Sequence, residues 1–178
     1  TLNYTVGWWS GNIGYRRPQI RATMTLPMGA AMEWKFDAAL TRAMGRTNAS
    51  LLPESDRTDS GENSGRPAAQ GRVGLTFPSL GFKPATVGIS GHAAQEEYDV
   101  GAGAAMETED FDSWSVNLDL LQPVNEWLSI KGEFFSGENL DTYLGGIGQG
   151  VNLVRFDEIA ARGGWIEASL GPWDAWSF

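Results

Sequence analysis

Cysteine is absent from this chain of 178 residues, which excludes a disulfide framework and any metal site built from thiolates. Histidine occurs once, as His92. No stretch approaches the roughly 18 consecutive apolar residues that a membrane-spanning helix requires. Basic residues are too few to balance the acidic ones, and the net charge of −9 argues against nucleic acid, which binds basic surfaces.

Glycine and aromatic residues, by contrast, are abundant, with 23 Gly, eight Trp and eight Phe. Helical patterns of more than two turns are hard to find. This composition predicts an all-β protein. The chain begins at Thr1 and has no signal-like apolar run, which indicates a mature, processed or partial chain.

The clearest strand signal lies in residues 31–42. The residues Met32, Trp34, Phe36, Ala38 and Leu40 fall on one parity, and Glu33, Lys35, Asp37 and Thr41 on the other. Successive side chains of a strand point to opposite faces, so this pattern predicts one apolar face and one charged face. A helical stripe would leave Trp34 on the wrong side, and the strand interpretation is therefore preferred.

Similar alternation predicts strands at 20–27, 32–42, 70–78, 83–93, 111–121, 126–136, 160–170 and 173–178. The connections alternate between short turns (28–31, 79–82, 122–125, 171–172) and long polar segments (43–69, 94–110, 137–159). Three such long loops are unusual in a compact soluble domain. Tight turns on one side and long loops on the other are typical of outer-membrane β-barrels.

Alternation alone does not reveal which face meets which surroundings. In a soluble sandwich the apolar face forms the core, whereas in a membrane barrel it meets lipid and the polar face lines a wet lumen. Two features favour the barrel. Aromatic residues gather near the predicted strand ends, as interfacial girdles require: Trp34, Phe77, Phe82, Trp127, Trp165, Trp173 and Trp176. The polar face also carries both charge signs at mid-strand: Arg21, Lys35, Arg72 and Lys131 against Glu33, Asp37, Asp119, Glu133 and Glu167.

Three further motifs have simpler interpretations. A serine–histidine hydrolase on a barrel wall would need His92 with a serine and an orienting group, but a lone histidine on a polar strand face is more often pore-lining or solvated. The glycine run at 145–150 lacks the strand and helix context of a phosphate loop. The acidic cluster Glu107, Glu109, Asp110 and Asp112 has oxygen ligands for Ca²⁺ but no EF-hand-like spacing, and a solvated acidic loop is the better explanation.

Three segments, residues 11–21, 132–140 and 161–170, resemble the DcaP-like trimeric porins of bacterial outer membranes. Members of that family are considerably longer. The resemblance implies a section of a longer barrel wall. It also implies a trimeric, passive diffusion channel for small polar or anionic solutes, with loops constricting the lumen.

The sequence thus predicts an all-β fold, a transmembrane antiparallel up-and-down β-barrel with about eight strands in this section, as one domain over 1–178 that is incomplete at both ends. The expected function is that of an outer-membrane porin, which passes small polar or charged solutes by diffusion, with outer-membrane lipids and a homotrimer as partners. No enzymatic step, cofactor, metal or nucleic acid is expected. The predicted pore-lining residues are Arg21, Lys35, Asp37, Arg72, Asp119, Lys131 and Glu133.

Two alternatives remain. The first is a soluble β-sandwich that binds glycans through exposed tryptophans, for which eight Trp would provide stacking platforms. The second is a barrel enzyme that hydrolyses lipids through His92.

Overall fold

The computed structural model describes residues 18–29, 31–45, 59–79, 83–100, 107–143, 145 and 149–171. Seven strands form one sheet: β1 (Gln19–Met28), β2 (Met32–Thr41), β3 (Ala68–Phe77), β4 (Ala85–Val100), β5 (Glu107–Pro123), β6 (Leu128–Glu138) and β9 (Ala160–Leu170). The other elements are the helix α1 (Ser60–Asn63), a 3-10 turn (Asp141–Tyr143) and a small hairpin of β7 (Val151–Asn152) and β8 (Asp157–Glu158). None of the helices among these residues is long and apolar enough to cross a membrane.

Each strand of the large sheet pairs antiparallel with the next one along the chain, in the order β1-β2-β3-β4-β5-β6-β9. The predicted all-β, antiparallel arrangement is therefore confirmed. Within the described residues the sheet is open, with β1 and β9 as its edges. Closure into a barrel and insertion into a membrane stay predictions.

Several sequence predictions lie outside the described residues. They are the strand at 173–178, the aromatic residues Phe82, Trp173 and Trp176, the resemblance over residues 11–17, and residues 146–148 of the glycine run.

The connections fall at two ends of the sheet. Residues 29–31, 78–84 and 124–127 join strands at one end, here called the turn end. Residues 42–67, 101–106 and 139–159 join strands at the opposite, loop end.

The predicted long loop at 94–110 is wrong, because β4 continues to Val100 and β5 begins at Glu107, and these two residues pair with each other. The hairpin of β4 and β5 extends beyond β3 at the loop end, because Ala93 is the last residue of β4 that pairs with β3. In β5 the residues from Glu107 to Asp110 are polar on both faces. On β4 the charged Glu96 interrupts the parity of Ala94, Tyr98 and Val100, so the alternation is too weak for a sequence pattern to detect.

The register keeps each strand's two parities on separate faces. The apolar face has a central row made of Met24, Phe36, Val73, Ile89, Leu118 and Phe134, which are partners across six neighbouring strands. The polar face has a matching row made of Thr23, Asp37, Arg72, Ser90 and Asn117. The two walls predicted from alternation are therefore continuous across the whole sheet.

The apolar face is exposed, and the core lies on the polar face. In the central apolar row Met24, Ile89, Leu118 and Phe134 are each about half exposed, at 53%, 49%, 51% and 51%. The buried strand side chains lie instead on the polar face, mostly towards the loop end: Thr41, Ala68, Glu96, Tyr98, Phe111, Ser113, Ser115 and Phe135. Ala85 is the exception among the described strands. Burial in this sheet is thus opposite to that of a soluble sandwich, which packs its apolar face.

Candidate functional site: a charged strip on the polar face

All seven predicted lining residues lie on the polar face of the sheet. The residues are Arg21 on β1, Lys35 and Asp37 on β2, Arg72 on β3, Asp119 on β5, and Lys131 and Glu133 on β6. Strand alternation and the common register bring them to one surface, called here the charged strip. That this strip lines a pore stays a prediction.

The centre of the strip is a two-point ion pair between Arg72 and Asp119. Arg72 Nε donates to Asp119 Oδ1 at 2.9 Å, and Nη2 donates to Oδ2 at 2.5 Å. The two residues lie on β3 and β5, so the guanidinium must pass over β4. Parallel N–H···O bonds of this kind fix the orientation of both groups as well as their distance.

Two glycines make this crossing possible. A Cβ atom added to Gly88 would collide with Arg72 Nη2 and lie 2.6 Å from Asp119 Oδ1. A Cβ atom on Gly74 would collide with Arg72 Nη1. Because neither residue has a side chain, the guanidinium can lie directly over the backbone of two neighbouring strands. At these two positions, therefore, glycine leaves the room that the Arg72–Asp119 ion pair occupies.

A second group of the strip gathers around Asp37. Its Oδ1 accepts hydrogen bonds from Thr23 Oγ1 at 2.6 Å and from Arg21 Nε at 3.1 Å. Lys35 Nζ lies 4.0 Å from Asp37 Oδ2. Arg21 and Lys35 are both largely exposed, at 47% and 44% of their side chains, so these contacts orient the carboxylate more than they stabilise the fold.

The third group joins β6 and β9. Lys131 Nζ lies 3.0 Å from Glu167 Oε1 and 5.9 Å from the centre of the Trp165 ring. Trp165 Nε1 donates to Glu133 Oε2 at 3.2 Å. The assignment of Trp165 to a strand-end girdle is wrong, because Trp165 lies in the middle of β9 and on the polar face. Trp165 has the same parity along the strand as Glu167 and Ser169, and this shared parity identifies its face from the sequence.

Each basic residue of the strip lies within ion-pair distance of a carboxylate. The pairs are Arg21–Asp37, Lys35–Asp37, Arg72–Asp119 and Lys131–Glu167. Two acidic residues of this face, Glu33 and Glu133, make no ion pair within the described part of the chain. The strip itself holds four basic and three acidic groups, and Glu33 and Glu167 on the same face bring the formal charge of the nine groups to −1.

His92 lies at the loop-end border of the strip and holds the 3-10 turn against the polar face. Its ring stacks on that of Tyr143, with centres 3.8 Å apart and planes inclined by 24°. His92 Nδ1 lies 2.7 Å from Ser115 Oγ, and Nε2 lies 3.1 Å from Ser113 Oγ. Ser113 Oγ in turn donates to the carbonyl oxygen of Asn139, at 2.8 Å. A pocket of about 230 Å³ opens between His92, Tyr143 and the Arg21–Asp37 group.

The arrangement around His92 is poorly suited to nucleophilic attack. Ser113 and Ser115, the two serines within hydrogen-bonding distance of His92, are only 1% and 3% exposed, and the Ser113 hydroxyl already donates to Asn139. A hydrolase needs its nucleophile open to substrate and beside oxyanion donors. The contacts instead fasten the segment from Asn139 to Tyr143 onto the sheet.

Beyond His92, the helix α1 covers the loop-end part of β4. Ser60 Oγ and Tyr98 OH both donate to Glu96 Oε2, at 2.7 and 2.9 Å, and all three residues are buried. Burial raises the pKa of the Tyr98 phenol well above its usual range, and the neighbouring Glu96 carboxylate acts in the same direction. The phenol therefore remains a donor to Glu96 over the physiological range. Asp59 caps α1 by accepting from the Glu62 amide, at 2.9 Å.

No group of three or more metal-ligating acidic or histidine side chains occurs among the described residues. The acidic cluster proposed for Ca²⁺ forms part of β5, not a loop. Strand alternation sends Glu107 and Glu109 to the polar face and Asp110 and Asp112 to the other, which separates the candidate ligands.

Comparison with known proteins adds no relative. No protein-family model, no curated protein and no solved structure matches this chain. Function must therefore be inferred from the two faces of the sheet and from the charged strip.

Proposed function

We propose that this chain forms part of the wall of an outer-membrane β-barrel porin, through which small polar or charged solutes diffuse passively. The observation that carries the proposal is the exposed apolar face. Large side chains such as Met24, Ile89, Leu118 and Phe134 stand half exposed across the sheet, while the buried residues lie on the opposite, polar face.

An apolar surface that extends over seven strands is unfavourable in water. Soluble monomers rarely expose apolar patches of more than a few hundred Å². In a membrane barrel, lipid covers the apolar face and removes this free-energy cost. The strands of such a barrel turn their apolar side chains outward to lipid and their polar side chains to the lumen. The strands that pair over about ten residues, such as β1 and β2, also have the length that a tilted membrane strand requires.

In this proposal the charged strip filters the solutes. Charged side chains and the width of the lumen select what passes. The turn from Asp141 to Tyr143, fastened through His92, narrows the lumen near its loop end. The edges of β1 and β9 are paired by further strands, because unpaired backbone groups are too costly in lipid. The homotrimer implied by the family resemblance belongs to the same proposal.

The glycan-binding sandwich would need a second layer over the apolar face. The described residues provide only the seven-stranded sheet and the two-stranded hairpin, and the segments that pack on the sheet lie on its polar side. The lipid hydrolase would need an open serine beside His92, whereas Ser113 is buried.

Three measurements test the proposal. The purified protein should require detergent for extraction and show heat-modifiable mobility on a gel, and it should give stepwise conductance in a planar lipid bilayer. Full solubility in plain buffer would overturn the membrane assignment. A folded, membrane-inserted protein without conductance would overturn the porin while leaving the barrel intact.

A further inference from the structure

Trp165 is the one tryptophan that the described residues place on the polar face of the sheet. Trp34 and Trp114 belong to the apolar face, and Trp127 lies in the turn before β6. An indole ring among ionised side chains presents an apolar surface on which a ligand can stack. Here the ring is oriented at two points, by the hydrogen bond from Nε1 to Glu133 and by Lys131 near its face.

A pocket of about 510 Å³ lies beside this ring. Its polar lining comes from Arg72, Asp119, Lys131 and Glu133, and Trp165 forms one wall. The volume falls within the range of small-molecule pockets, about 300–1,000 Å³. The glycines at 74 and 88 keep Arg72 and Asp119 flat over β4, which leaves the space above them open.

We propose that this pocket binds small neutral sugars in their ring form. One face of a pyranose carries C–H groups, whose positive edges suit the negative face of an indole ring. Its hydroxyls both donate and accept, so that carboxylates of Asp119 and Glu133 and the donors of Arg72 and Lys131 can all be satisfied at once.

The pairing of the charges in the pocket selects against anions. Asp119 and Glu133 provide two negative charges of the lining and Arg72 and Lys131 two positive ones. Both basic groups are already paired, Arg72 with Asp119 and Lys131 with Glu167. A small anion would have to displace a carboxylate from its partner. A neutral, hydroxyl-rich ring needs no such exchange.

This inference rests on the proposed porin for the route by which the sugar arrives, but binding is measurable without transport. We would titrate the full protein, purified in detergent, with maltose by isothermal titration calorimetry. Wild type should bind maltose saturably, and sodium succinate should give no saturable heat. In a planar bilayer, maltose should reduce the current with the same dissociation constant.

Substitutions locate the site. Trp165→Ala removes the stacking surface and should weaken maltose binding about tenfold or more, which corresponds to about 1.4 kcal/mol or more. Trp165→Phe keeps a stacking ring and should remain within about threefold of wild type. Trp127→Ala removes a tryptophan that is 45% exposed in the turn and should not change binding. Glu133→Gln should weaken binding without loss of the fold, so the test survives if Trp165→Ala does not fold.

The outcomes separate the two proposals. Equal affinity in wild type, Trp165→Ala and Glu133→Gln, or no saturable binding by wild type, would overturn the sugar site. Saturable binding that depends on Trp165, in a protein without conductance, would keep the sugar site and overturn the porin.

Discussion

Replacing Ile89 by arginine tests which surroundings cover the apolar face. Ile89 lies in the central row of that face, between Val73 and Leu118, and is 49% exposed. If water covers this face, a substitution at a half-exposed position should change the free energy of unfolding by no more than about 0.5 kcal/mol. If lipid covers it, an arginine near the bilayer midplane should cost about 2–4 kcal/mol.

Met28→Arg provides a control at a different depth. Met28 is on the same face and similarly exposed, at 53%, but lies at the turn end of β1, four residues after Met24 of the central row. At about 3.3 Å per residue, this is roughly 13 Å along the strand. Near the membrane interface the cost of arginine falls to about 0–1 kcal/mol. A large difference in the loss of unfolding free energy between these two equally exposed positions is expected only if lipid covers the face.

The assay is reversible unfolding by guanidinium chloride in lipid vesicles, followed by tryptophan fluorescence. We expect the free energy of unfolding to fall by about 2–4 kcal/mol for Ile89→Arg and by no more than about 1 kcal/mol for Met28→Arg. Losses below about 0.5 kcal/mol for both variants would refute a lipid-facing surface. Large and equal losses for both would indicate a packed protein core instead.

Three further predictions concern the polar face and its loop end. Asp119→Asn removes one negative charge beside Arg72, and the reversal potential across a salt gradient should shift towards anions. Gly88→Val places a side chain where the guanidinium of Arg72 lies, and we expect chemical unfolding to show a loss of about 1–3 kcal/mol. The raised pKa of Tyr98 means that the folded protein keeps a proton that the unfolded chain loses near pH 10. The contribution of Tyr98 to stability should therefore be constant below about pH 10 and fall as the pH rises further, and Tyr98→Phe should reduce the loss of stability between pH 8 and pH 11.

Matched controls accompany these variants. Glu126→Gln changes the net charge equally but lies at the turn end, so an identical shift in reversal potential would argue against a local role for Asp119. Gly71→Ala introduces a Cβ at an ordinary 3.7 Å from the Asp37 carbonyl and should cost nothing. An alkaline stability profile of Tyr98→Phe identical to that of wild type would contradict the assignment of the raised pKa.

Parity along single strands was predictable from the sequence because it is a local property. The alternation of Met32, Trp34 and Phe36 with Glu33 and Lys35 gave both faces of β2, and the structure has that strand at Met32–Thr41. The same alternation placed the seven charged residues on one face. It failed at residues 94–110, where polar side chains on both faces of β5 and the charged Glu96 on β4 conceal an extended hairpin.

Partners across the sheet could not be predicted in the same way. Arg72 meets Asp119 two strands away, and the contact requires the register of β3, β4 and β5 together with the glycine at 88. Trp165 shares the parity of Glu167 and lies in the middle of the predicted strand, yet its bond to Glu133 depends on where that strand pairs with β6.

The sequence by itself determined an antiparallel all-β chain with one apolar and one charged face, because side-chain direction in a strand depends only on position along it. The tertiary structure decided which face is left uncovered. That outcome depends on where α1 and the turn from Asp141 to Tyr143 pack, and both pack on the charged side. It also decided which charges meet, because register brings together residues far apart in the chain, and no local pattern encodes a register.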